Sequence, residues 1–229
     1  GGLPGHRCRA RGSGEVRRGA AGAVPERGAA MTSPVPSVSI GGDSFVPYVD
    51  EALYLAHTQG QQAVVQGLYY YRRPVDLDAL RRFHAHLEHS LLGRLIRPAT
   101  LPFGRAHWVT APGSPLDLCE RELPPSALRA WADAEVDRPL DPARGPGWRL
   151  SLQPFTDGST AISLVVSHCL ADGMAAITAI SEAARAERRI LRYPSSERPS
   201  RPLRTAMDEI RRFSRDLPDI TRALRQLVV

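Results

Sequence analysis

The sequence predicts an α+β fold, a mixed β-sheet packed in two layers against helices, and three stretches carry that expectation. Two β-rich runs, WRLSLQPF and TAISLVVS, are joined by a polar turn containing Asp157 and Gly158, the pattern of a hairpin. The stretch LDALRRFHAHLEHSLL places Leu77, Leu80, Phe83, Leu87 and Leu91 at the three-and-four spacing of one buried helix face. A small-residue helical run, MAAITAISEAA, begins directly after Asp172 and Gly173.

Taken in order, residues 1–42 are expected to be a disordered extension and lead-in. The first 30 are Gly- and Arg-rich, lack hydrophobic periodicity and offer too little apolar surface to fold. Met31 is the expected true start. Residues 43–190 are expected to form the folded lobe. In FVPYVDEALYLAHTQ, the spacing of Tyr48, Ala52, Leu55 and Ala56 predicts a short helix. QAVVQGLYYYR is β-branched and aromatic, which predicts a central strand ended by Pro74. Asp76 is a suitable N-cap for the helix that follows. That helix carries His84, His86 and His89; His86 and His89 share a face but lack a third ligand, so a solvated polar surface is the expectation and no metal site.

LIRPATLPFGRAHWVTAP predicts one or two strands broken by Pro98, Pro102 and Gly104, with Trp108 as an apolar anchor, and PLDLCERELP continues extended. Pro125 suits a first helical turn, with Leu128, Trp131, Ala132 and Val136 on one side of the helix behind it. After a turn-rich stretch comes the hairpin. In its second run Ile162, Leu164 and Val166 lie on one face, and Ala161, Ser163, Val165 and Ser167 on the other. Both faces are apolar or small, so this strand is expected to be buried between layers. Residues 191–229 are expected to be linker and then an amphipathic helix, whose stripe of Ile210, Phe213, Leu217, Ile220, Leu224 and Leu227 is interrupted by Pro218.

The 229 residues are 42% hydrophobic and 24% charged, the composition of a chain able to bury one sizeable core. No apolar run approaches the roughly 20 residues that span a bilayer. Cys8, Cys119 and Cys169 are scattered, suggest neither a disulfide framework nor a metal pair, and point to the cytoplasm. All 30 cationic side chains are arginine, a bias attributed to codon composition. Four units of the net charge of +6 belong to the first 30 residues, and no basic run is interleaved with aromatics, so a nucleic-acid partner is not expected.

The chemistry is concentrated in ISLVVSHCLADG. A strand delivers His168 to the point where a helix has not yet begun, held on one side and open on the other, a good position for a general base. Cys169 is expected to be a small buried residue and not half of a Cys-His dyad, because neighbouring side chains diverge.

SHCLADG resembles the HHxxxDG motif of the superfamily that contains nonribosomal peptide condensation domains, plant alcohol acyltransferases and bacterial wax ester synthase/diacylglycerol acyltransferases. The resemblance to the last group also rests on VDLDALRRFHAHLEHSLLGRLIRP, on FGRAHWVTAPGSPLDLCERELP and on RPLDPARGPGWRLSLQPFTDGSTAISLVVSHCLADG, in that order. Ser167 stands where the motif has its first histidine, and Pro146, Gly147 and Trp148 where members usually carry proline, leucine and tryptophan.

The resemblance implies a lobe like that of chloramphenicol acetyltransferase, with a helical interlobe segment at its C-terminal end and the second lobe missing. It implies an O-acyltransferase that uses acyl-CoA as co-substrate, without a cofactor, and an alcohol or diacylglycerol as acceptor. His168 would be the base, while Asp172 and Gly173 would give structural support, Asp172 by bracing the loop, commonly through an arginine. Peripheral contact with a membrane or lipid surface, or a partner over the C-terminal apolar stripe, is a further expectation. Three alternatives stand beside it: a condensation domain acting on carrier-bound thioesters, a non-catalytic interaction module, and a single-lobe trimer like chloramphenicol acetyltransferase, against which the long segment after Gly173 argues.

Overall fold

The computed structural model describes residues 9–10, 38–40, 44–101, 104–111, 113–196, 207 and 210. Two short strands, β1 (Arg9–Ala10) and β2 (Val38–Ile40), precede helix α1 (Tyr48–Thr58) and strand β3 (Val64–Tyr71). Helix α2 (Leu77–Leu87) leads to β4 (Arg94–Arg97), β5 (His107–Thr110) and β6 (Leu116–Leu118). A 3-10 turn at Pro125–Ala127 opens α3 (Leu128–Asp137), and β7 (Trp148–Pro154), β8 (Thr160–Ser167), α4 (Gly173–Ala184) and β9 (Arg189–Leu191) complete the order.

The main sheet runs β1-β6-β7-β8-β3; its β6–β7 pair is parallel and the others antiparallel, so the sheet is mixed as expected. β4 and β5 form an antiparallel ribbon, and β2 pairs with β9 in parallel. The β7–β8 hairpin turns at Asp157, whose carboxylate accepts from the Ser159 amide at 3.0 Å, and at Gly158, where φ is +81° and a side chain would be strained.

β8 is buried along its whole length, and its two faces serve different layers. Ile162, Leu164 and Val166 pack with Leu80 and Leu87 of α2 and Ala179 and Ala183 of α4. Ala161, on the opposite face, packs with Trp131 and Ala132 of α3. The alternation read from the sequence therefore describes a strand covered on both sides, with α2 and α4 on one face and α3 on the other.

Several expectations need correction. β3 lies at the edge of the sheet, with Leu68 to Tyr71 each about 40–44% exposed, because aromatic and β-branched residues favour a strand without fixing its place in the sheet. In α1 the half-buried residues are Asp50, Glu51, Leu53, Tyr54, Ala56 and His57, so of the expected face Ala56 is half-buried while Tyr48, Ala52 and Leu55 are exposed. α2 keeps Leu80, Phe83 and Leu87 inward, but Leu77 is exposed and Leu91 lies beyond the helix end. α3 buries Glu135 beside Trp131 and Ala132.

Within residues 1–42 the structure describes β1 and β2, and Arg189–Leu191, expected to straddle the lobe boundary and a linker, form β9, tied to α4 by the Arg189–Glu182 ion pair. Cys119 is disulfide-bonded, contrary to the reading of the cysteines as unpaired. Of the C-terminal stripe, Ile210 is described, helical and exposed like Met207; the rest lies outside the described residues. Among the described residues no helix is long and apolar enough to cross a membrane.

Candidate active site

His168 directly follows the last residue of β8, and hydrogen bonds clamp the backbone there from both neighbouring strands. The His168 amide donates to the Ala63 carbonyl at 2.9 Å, beside β3, and the Ser167 amide to the Gly147 carbonyl at 3.0 Å, beside β7. The chain then turns at once: the Leu170 amide bonds the Ser167 carbonyl at 2.9 Å. His168 is partly exposed, and its Nδ1 is buried without a hydrogen-bond partner among the described residues.

Asp172 has a defined task. It is the N-cap of α4: its backbone is extended and its Oδ1 accepts from the Ala175 amide at 2.7 Å, satisfying one of the donors that a helix start leaves open. This fixes where the loop ends. Gly173 needs no glycine-only backbone, since its φ lies outside the left-handed region, and among the described residues a Cβ there would touch nothing within 4 Å. It borders open space.

Ser167 and Cys169 point inward together, with Oγ and Sγ 3.0 Å apart and both residues buried. Burial pushes the Cys169 thiol above its usual range, which disfavours a reactive thiolate. The loop between them and α4 is seated by Leu170, which packs with Leu95, Ile96 and Trp108. A Cβ at Gly147 would lie 2.2 Å from Leu170 Cδ1 and 3.2 Å from Leu95 Cδ2, so the glycine leaves the space into which Leu170 settles. A cavity of about 230 Å³ adjoins this contact, lined by Arg94, Leu95, Arg144, Gly147 and Trp148 among others.

Two further residues were not recognised in the sequence. Arg94 of β4 lies over the Trp108 ring, 3.8 Å from its centroid, and donates from Nη2 to the Leu170 carbonyl at 2.8 Å. Asp50 of α1 lies within electrostatic reach of Arg94, Asp172 and His168, and burial raises its carboxyl above the usual range despite the pull of Arg94. The signal for Asp50 was its three- and four-residue spacing to Leu53 and Tyr54. Arg94 had no local signal, because its partners come from the loop 76 residues later.

The histidines of α2 are not a solvated patch throughout. His84 is half-buried, packs at a tilt against Trp148 with ring centroids 5.2 Å apart, and faces Glu88 at 3.7 Å. A larger cavity, about 420 Å³, lies between α2 and the far end of β7–β8, lined by Val75, Leu77, Leu116, Leu152 and Thr160 among others, and His168 does not line it. The first turns of α1 and α4 expose Tyr48, Val49, Met174 and Ile177.

This is the fold of a condensation-domain-type lobe, related in architecture to chloramphenicol acetyltransferase. Among solved structures, the X-domain from teicoplanin biosynthesis matches 71% of this chain and 37% of its own length, at 17% identity and a TM-score of 0.52. The starter condensation domain of rhizomide synthetase matches 63% of this chain and 38% of its own, at 12% identity and a TM-score of 0.52. The first condensation domain of the CDA synthetase matches 63% and 40%, at 17% identity and a TM-score of 0.51. The chain thus spans less than half the length of each. No family model and no curated protein matches the sequence.

Proposed function

We propose that the protein belongs to an acyl-transfer system in which His168 is the general base. The observation that carries this reading is the placement of His168: its backbone is clamped at the end of a fully buried strand, and the residue is partly exposed. His168 would take the proton from an acceptor hydroxyl as its oxygen attacks a thioester carbonyl carbon. The carbon–sulfur bond then breaks, and the proton passes from His168 to the departing thiolate. No acyl-enzyme is needed. Asp172 and Gly173 act on the loop, Asp172 as the cap that fixes its end.

The preferred reading is an O-acyltransferase with acyl-CoA as co-substrate and a long-chain alcohol or diacylglycerol as acceptor, of the wax ester synthase/diacylglycerol acyltransferase type that the sequence resembles. A second reading, amide or ester formation from carrier-bound thioesters, is favoured by the condensation domains among the structural matches. Peripheral contact with a lipid surface, and a second lobe or partner facing His168, belong to the same proposal. Incubating the purified protein with radiolabelled acyl-CoA and either an alcohol or diacylglycerol, and in parallel with carrier-bound donors and amine acceptors, separates the two readings. Transfer is expected to fall by about 10²–10⁴-fold in His168→Ala, the usual worth of a positioned base. Unchanged transfer in that variant would remove the mechanism.

A further inference from the structure

We propose that the cavity between the end of α1, the end of β4 and the turn before β7 binds a phosphate monoester, with Arg97 and Arg144 on the phosphate and Tyr54 and Val109 against the organic part. This is a binding function separate from acyl transfer and does not rest on that reading.

The cavity holds about 540 Å³ and is lined by Tyr54 and His57 of α1, Arg97 at the last position of β4, Val109 of β5, and Asp141 and Arg144 before β7, among others. Small-ligand sites span about 300–1,000 Å³, and this one is larger than a bare phosphate needs. His168 does not line it. Its walls come from four separate stretches of the chain, so no local pattern in the sequence announces it.

The charges select the ligand. Two guanidinium groups line the cavity against the single carboxylate of Asp141, and that carboxylate is already engaged: its Oδ1 accepts from the amides of Ala143 and Arg144 at 2.8 Å each. Arg144 is exposed, and its side chain makes no hydrogen bond or ion pair among the described residues. Arg97 gives Nη2 to the Ser196 carbonyl at 3.0 Å, one of the five N–H donors that a guanidinium carries in a planar fork. Such forks meet carboxylate or phosphate oxygens two at a time. A carboxylate can occupy one fork, whereas a phosphate monoester has three terminal oxygens and close to two charges at pH 7 for both.

The remaining walls agree with an anion. His57 offers a ring N–H in either protonation state. Burial and the Asp141 charge hold the Tyr54 phenol above its ordinary range, so it stays a donor. The carbonyls of Ala56 and His57, at the negative end of α1, are taken by the amides of Gln59 and Gly60 at 3.1 and 2.9 Å.

The test titrates the protein with phenyl phosphate, with phenol and inorganic phosphate beside it, by calorimetry and by NMR of the His57 ring protons, assigned by their loss in His57→Gln. Phenyl phosphate is expected to bind saturably, to shift the His57 signals and to bind more tightly than inorganic phosphate, while phenol leaves them unmoved. Arg144→Gln should weaken binding about 10–100-fold, the worth of hydrogen bonds to a charged group. Arg129→Gln, an exposed arginine of α3 outside the cavity, should not change it. Absence of saturation, or an equal loss in Arg129→Gln, would mean an adventitious ion only and overturns the site. Equal affinity for inorganic phosphate overturns the organic part. Arg97→Gln should act like Arg144→Gln; because Arg97 also holds the Ser196 carbonyl, Arg144→Gln alone carries the test if that variant does not fold. Displacement of phenyl phosphate by phosphatidylcholine vesicles containing phosphatidic acid would identify a lipid headgroup as the natural source, and no displacement a soluble ester. None of these readouts needs turnover, so a failure of His168 as the base leaves them standing.

Discussion

Leu170 occupies the space that a side chain at position 147 would fill: a Cβ on Gly147 would approach Leu170 Cδ1 to 2.2 Å. Leu170 is 1% exposed and Leu95 closes the other side, so it has little room to withdraw. Gly147→Leu is expected to destabilise the protein by about 1–3 kcal/mol, as overpacking does. Leu170→Ala should relieve part of that loss when the two are combined. Urea denaturation of both single variants and the double variant checks it, and simple additivity would mean that the two positions do not share space.

Gly173 borders open space, so Gly173→Ala is expected to leave the melting temperature unchanged or slightly raised, since alanine suits a helix start better than glycine. If the proposed acyl transfer uses the open space at Gly173, its rate should nonetheless fall several-fold, because the added methyl enters that space. Thermal unfolding and initial rates, measured on one preparation, decide it; a fall in both together would assign Gly173 to the fold alone.

A buried charged group ties α3 to the sheet. Asp117 accepts from Arg138 at 2.6 Å, Glu135 accepts from Arg138 at 3.0 Å and from Ser151 Oγ at 2.6 Å, and the nearly buried Arg149 lies 3.9 Å from Asp117. Asp117→Ala leaves Arg149 without that carboxylate and is expected to cost about 2–4 kcal/mol. The paired replacement Asp117→Leu with Arg149→Met should cost less than the single change. Equilibrium unfolding in guanidinium chloride compares them, and a larger loss in the pair would contradict the account.

His84 is held below its ordinary value of 6.5 by burial, the backbone contact with Ser114 opposing only in part. The unfolded chain therefore binds a proton at this residue more readily than the folded one. Stability should decline as pH falls below 6.5 and continue to do so until the folded-state value is passed. Burial raises Glu88, which works in the opposite direction at lower pH. His84→Phe keeps the ring against Trp148 and should flatten the slope just below pH 6.5; denaturant midpoints at a series of pH values show whether it does.

The parts of the fold written in local pattern were legible. The hairpin turn at Asp157 and Gly158, the cap at Asp76 and the alternation along β8 all use residues adjacent in sequence, and the structure has each where expected. What escaped depends on partners far along the chain. Asp117, Glu135 and Arg149 look like surface charges until the sheet and α3 bring them together. In α1 the spacing of Tyr48, Ala52, Leu55 and Ala56 was as regular as that of Asp50, Leu53, Tyr54 and His57, although the latter stripe carries two polar residues. Only the position of the His168 loop decides between them. Likewise, Asp172 was read as a brace for the loop, whereas its visible contact is with the helix it starts.

The place of β3 has a practical consequence. The eight residues VVQGLYYY contain no charge and no proline, and among the described residues they pair with β8 alone. Natural edge strands are usually guarded by such residues against pairing with another chain. Here Arg72 and Arg73 sit only beyond the strand's end. Concentrated solutions should therefore aggregate through β3 before the core unfolds. A single lysine in place of Tyr70, a residue 44% exposed, should raise the concentration at which the protein stays monodisperse.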